Sequence, residues 1–109
     1  MSLVNFTNYL TQILYRLLHP HPTTTTVEIK ELNQTIKVGA VFQGDKIFPK
    51  WFAWEKRKYN IKEINYNWKD SQGAEELYCF SVTDGTNNYE LSFNSKRMVW
   101  RLNKICGGG

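Results

Sequence analysis

Leu3, Phe6, Leu10, Ile13 and Leu17 recur at every third or fourth position near the start of the chain, with Tyr9, Leu14 and Leu18 widening the stripe and Asn, Thr, Gln and Arg16 between them. One apolar face at the helical period predicts an amphipathic α-helix. The pattern stops at His19-Pro20-His21-Pro22, where each proline disfavours helix for the residue before it and has no N–H to donate. After the run Thr23 to Thr26 the period becomes two: Val27 and Ile29 alternate with Glu28 and Lys30, then Ile36, Val38, Ala40 and Phe42 follow, and Gly44-Asp45 reads as a turn.

From Ile47 onward the pattern leaves no room for another helix. It predicts strands over 48–55, 58–68, 76–83, 89–94 and 98–105, joined at Lys56-Arg57, Asp70 to Gly73, Asp84 to Asn87 and Asn94 to Arg97, all rich in turn-forming residues. Within 58–68, Tyr59 and Ile61 share one parity, and Ile64, Tyr66 and Trp68 share the other. Such a switch requires a bulge or sharp bend near Lys62-Glu63. The expected fold is mainly β: an N-terminal amphipathic helix, then a five- to six-stranded antiparallel meander forming a strongly curved sheet or a small SH3-like barrel. Residues 1–22 form the helix and its His/Pro connector, 23–106 the β domain and 107–109 a flexible glycine tail. Phe52, Trp54, Tyr59, Ile61, Ile64 and Trp68 are the expected core of the central hairpins.

A chain of 109 residues supports a single core. An aromatic content of 15% makes rings a large part of the filling. Cys79 and Cys106 do not make a disulfide framework, and with no secretory pattern they read as reduced thiols in the cytoplasm. The leading stripe is too short and too interrupted to span a bilayer, so no membrane association is expected. Three uses of that stripe compete: packing over the open end of the sheet, pairing through Leu3, Phe6, Leu10, Ile13 and Leu17 with a partner or a second copy, and targeting or membrane-surface binding, for which Arg16 is the only base available.

The net charge of +4 is unevenly placed. Lys46 to Lys69 holds seven bases against Glu55 and Glu63, Lys96 to Lys104 holds four bases and no acid, and Asp70 to Glu90 holds five acids and no base. These charges either pair across neighbouring strands or, if the basic segments share a face, attract a polyanion. Trp51 and Tyr66 fall on the parity opposite the core, near Lys50, Lys58 and Lys62. Rings interleaved with cations are what single-stranded nucleic acid uses, bases on the rings and phosphates on the cations. The candidate nucleic-acid-binding residues are therefore Lys50, Trp51, Lys56, Arg57, Lys58, Lys62, Tyr66, Arg97 and Arg101, for a single strand or a duplex. A protein-interaction module using the leading stripe and the exposed aromatics is the alternative.

Catalytic chemistry finds no constellation. His19 and His21 lack further metal ligands nearby, Cys79 and Cys106 lack a histidine base, and Glu75-Glu76 point to opposite sides of a strand. No phosphate loop, zinc spacing or nucleophile elbow is present. The expectation is a non-enzyme with no cofactor and no metal.

Pro49, Phe52, Trp54, the basic turn Lys56-Arg57-Lys58, the run Tyr59-x-Ile61-x-x-Ile64-x-x-x-Trp68 and the closing positions Tyr78, Val82, Gly85, Tyr89, Leu91, Trp100 and Leu102 resemble a small uncharacterised bacterial domain family of unknown function. Some members of that family accompany error-prone, repair-associated DNA polymerases. The resemblance spans residues 47–105, leaves the leading helix out, and finds lysine and asparagine where members carry arginine. It implies a DNA-repair setting with a repair polymerase as partner, and no catalytic residues.

Overall fold

The computed structural model describes residues 27–108, which form seven strands joined in one antiparallel sheet, with no helix among them. They are β1 (Val27–Gln43), β2 (Lys46–Trp54), β3 (Arg57–Asn60), β4 (Glu63–Gln72), β5 (Glu75–Thr83), β6 (Asn88–Asn94) and β7 (Val99–Gly108). The expected helix and its stripe from Leu3 through Phe6, Leu10 and Ile13 to Leu17 lie outside the described residues.

Across the sheet the order is β3-β2-β1-β7-β6-β5-β4. Strand β1 holds the two halves together. Its first part pairs with β7, from Val27↔Gly108 to Ile36↔Trp100, and its second part pairs with β2, from Lys37↔Ala53 to Gln43↔Lys46. The two alternating runs expected in this region are thus one strand. An irregularity between Glu31 and Gln34, where Asn33 takes φ 51° and β1 carries one residue more than β7, bends it without ending it.

The bend lays β1-β2-β3 over β7-β6-β5-β4, and the core fills the space between. Phe52 on β2, with 0% of its surface exposed, sits edge-on to Tyr89 of β6 at 4.9 Å and stacks on Tyr59 of β3 at 5.0 Å. Val82, Leu91, Leu102, Phe80, Phe93, Trp100 and Ile36 complete the buried cluster, with Trp54, Tyr59, Ile61 and Ile64 packed against it. Trp68 does not join them. A register shift between Ile64 and Tyr66 turns Ile64 inward opposite Val82, and sets Tyr66 and Trp68 outward opposite Ser81 and Cys79.

The expected bend lies at Ile61-Lys62, between β3 and β4. Ile61 N–H donates to the Lys50 carbonyl of β2 at 2.9 Å and Lys62 N–H donates to the Thr83 carbonyl of β5 at 2.8 Å, so this corner ties the two halves together. At the other end β4 has no strand beyond it, and the sheet does not close into a barrel.

Three local expectations change. The β2–β3 turn is Glu55-Lys56, at φ 50° and 64°, rather than Lys56-Arg57; two positive φ values give the twist that a two-residue hairpin requires. Strand β4 continues through Asp70 to Gln72 before turning at Gly73. Gly107 and Gly108, expected in a flexible tail, continue β7 opposite Glu28 and Val27.

Candidate functional site

The outer face of β1-β2-β3 is built from the parity that Phe52 leaves free. Gly39 of β1, Trp51 of β2 and Asn60 of β3 form one row, and Lys37, Ala53 and Lys58 form the next. Gly39 has no side chain for a reason: a Cβ there would run into the Trp51 indole, which lies across β1 at that point. Lys58 holds its Nζ 4.9 Å from the centre of the Trp51 ring, within cation–π reach.

One step along β2 the register shifts. Trp51 opposes Gly39 but Pro49 opposes Ala40, so Lys50 is the extra residue of a bulge. The bulge reverses the parity beyond it. Pro49 turns inward and is fully buried, while Phe48 joins Trp51 on the outer side opposite Val41. Lys50 places its Nζ 5.7 Å from the Phe48 ring centre. The face therefore presents two half-buried rings, each beneath a lysine ammonium, with Lys37 alongside.

Lys56 and Arg57 stand exposed at the β2–β3 hairpin end, and Lys62 lies at the corner, its aliphatic stem beside Gly85. None of these cations forms an ion pair among the described residues, whereas Arg97 is paired with Glu75 at 2.8 Å. Unpaired cations next to rings leave both available to a ligand carrying negative charge and flat apolar groups.

The structure brings together Lys50, Trp51 and Lys58, with Lys56, Arg57 and Lys62 at the borders of the same half. It places three candidate residues elsewhere. Tyr66 is outward on β4, edge-on to Trp68 at 6.5 Å, on the other half of the sheet. Arg97 is held by both Glu75 carboxylate oxygens, at 2.8 and 3.1 Å, and Arg101 lies opposite Ser92 with a 3.4 Å bond to the Asn33 carbonyl. Phe48, Gly39 and Lys37 were not expected in the site. A lone glycine inside an alternating strand is the signal that marks such a close approach.

Two titratable groups on the other half of the sheet are shifted by their surroundings. Burial, with the charges of Glu90 and Asp70, pushes the Cys79 thiol up to about 12, so it stays protonated and is a poor nucleophile. Bonds from Asn94 and Arg97 hold Glu75 below the usual carboxylate range. Among the described residues no group of His, Cys, Asp and Glu is arranged to hold a metal ion, and no helix is long and apolar enough to cross a membrane. Comparison with known families, curated proteins and solved structures finds no match to this chain.

Proposed function

We propose that this domain is a non-catalytic module that binds single-stranded nucleic acid on the outer face of β1-β2-β3. The observation that supports this reading is the pair of outward rings, Trp51 and Phe48, each with a lysine ammonium within 5.7 Å of its centre. Bases stack on the rings while Lys50 and Lys58 swing to the phosphates, with Lys37, Lys56 and Arg57 adding charge along the strand. Stacking of this kind contributes about 1–3 kcal/mol per base and is sequence-tolerant.

Titration with labelled oligo-dT at low and then physiological salt tests the reading. Binding that quenches tryptophan, weakens steeply with salt, and drops at least tenfold in Trp51→Ala and in the double variant Lys50→Glu/Lys58→Glu supports it. Affinity unchanged in these variants overturns it.

A second reading, a protein-interaction module, is favoured by Phe42 and Met98, which are 56% and 71% exposed. Phe42→Ser with Met98→Ser would then change the oligomeric mass or release a bound partner, and leave oligo-dT binding untouched.

A further inference from the structure

Beyond Phe48 the outer face runs into a cleft of about 560 Å³ between the start of β2 and the free strand β4. Its floor is apolar, with Ile47, Ile64 and Phe80. Its β4 wall is not. Asn67 opposes the buried Phe80 and Lys69 opposes Tyr78, so both occupy the parity that elsewhere in this half faces the core.

Lys69 rests its Nζ 5.2 Å from the Tyr78 ring centre. Asn67 makes no hydrogen bond among the described residues, and its amide lines the cleft with both a donor and an acceptor. The Asn67 and Lys69 side chains are both exposed on this edge strand, so the Asn67 amide is hydrated and can exchange its water for a base edge. Lys46, on the opposite wall beside the Asp45 carboxylate, adds a second cation to the rim.

We infer that this cleft is a base-reading pocket: one nucleobase of the bound single strand turns off Phe48 and enters it, and Asn67 reads its edge. This rests on the single-strand reading of the neighbouring face. The volume is within the range of small-molecule sites, and an apolar floor with a few convergent polar groups is their usual composition. An amide meeting a base edge through donor and acceptor discriminates between bases, whereas stacking on Trp51 and Phe48 does not. Lys46 and Lys69 meet the phosphates on either side of the inserted base. Phe48 borders both the face and the cleft, so the strand's path is continuous.

The competing account of the same residues is edge protection, in which an inward lysine prevents a second sheet from adding to β4. Binding of oligo-dT, dC, dA and dG of equal length to the full chain and to Asn67→Ala separates the two. The expected result is a preference of about tenfold for one base in the unaltered chain, reduced to within twofold by Asn67→Ala with the salt dependence unchanged. In the unaltered protein, the Asn67 side-chain amide resonance shifts on adding the preferred oligonucleotide and not on adding the others. Equal binding of all four oligonucleotides, or a preference that survives Asn67→Ala, overturns the pocket and leaves the stacking face standing. Failure of every oligonucleotide to bind overturns both.

Discussion

Replacing Gly39 with alanine tests the seat of the Trp51 ring through a change of sign. In an ordinary strand position with an extended backbone, Gly→Ala stabilises by about 0.4–1 kcal/mol, because the unfolded chain loses freedom. Here the added methyl occupies the space of the indole, which must lift from β1. Lifting roughly 50 Å² of ring from the sheet costs about 1.3 kcal/mol at 25 cal/mol/Å². Loss of the Lys58 contact removes about 0.5–1 kcal/mol more. The net expectation for Gly39→Ala is a destabilisation of about 1 kcal/mol, and a melting temperature lower by about 4–8 °C. In the Trp51→Ala background the obstacle is gone, so the same substitution stabilises by about 0.4–1 kcal/mol. Guanidinium melts of the four proteins in the cycle, read by far-ultraviolet dichroism, give a coupling of about 2 kcal/mol. If Gly39→Ala stabilises the chain in both backgrounds, the ring does not rest on Gly39 and the platform proposed for bases is not built this way.

Other substitutions have equally definite outcomes. Phe52→Ala empties the centre of the aromatic cluster and costs about 3–5 kcal/mol, seen as loss of the cooperative melt or a much lower midpoint. Lys56→Gly relieves a left-handed backbone at φ 64° and raises stability by about 1 kcal/mol in the same melts, despite removing a surface cation. Burial works to raise the Asp84 carboxyl, but N–H bonds from Asn87 and Thr86 and the Tyr89 hydroxyl at 2.8 Å outweigh it and hold the group below its ordinary value. A depressed folded pKa gives stability that is fully present above the unfolded value, about 3.9, and is lost as pH falls through the folded value; Asp84→Asn lowers stability at pH 6 and flattens the decline measured between pH 5 and pH 2. With its thiol at about 12, Cys79 reacts with a maleimide at pH 8 about a thousandfold more slowly than a solvated cysteine, as mass spectrometry of the labelled folded chain reads out.

Much of the fold is legible in the residues, and what is missed traces to bulges. Period-two alternation identifies the antiparallel strands, and the parity switch after Ile61 locates the corner at Ile61-Lys62. Strict alternation from Phe52 assigns Phe48 to the interior. The extra residue at Lys50 reverses that assignment, and Phe48 appears beside Trp51 instead. The same event between Ile64 and Tyr66 separates residues of equal parity, sending Ile64 to the core and Tyr66 and Trp68 to the outer side. A bulge adds one residue with no distinctive side chain, so composition around Lys50 and Asn65 does not announce it. Charge summed along the chain groups Arg97 and Arg101 with the basic hairpin. Spatial order puts them on the other half, where Glu75, from the acidic segment, takes Arg97. Trp51 and Lys58 were legible because no bulge intervenes between them and Phe52.

The doubled role of β1 sets the order in which the domain can assemble. Every other pairing joins neighbours in the chain: β1 with β2, β2 with β3, β4 with β5, β5 with β6 and β6 with β7. These can zip as hairpins soon after their residues leave the ribosome. The pairing of β1 with β7 brings Val27 to Gly108 and closes nearly the whole described chain into a loop. Its entropy cost falls on one late step, which topology makes the slow one. Until then the first half of β1 has no partner strand, and the Phe52 and Tyr89 rings of the two halves have no fixed approach. The core therefore sets only after the last strand has been synthesised, and the domain gains its stability all at once rather than hairpin by hairpin.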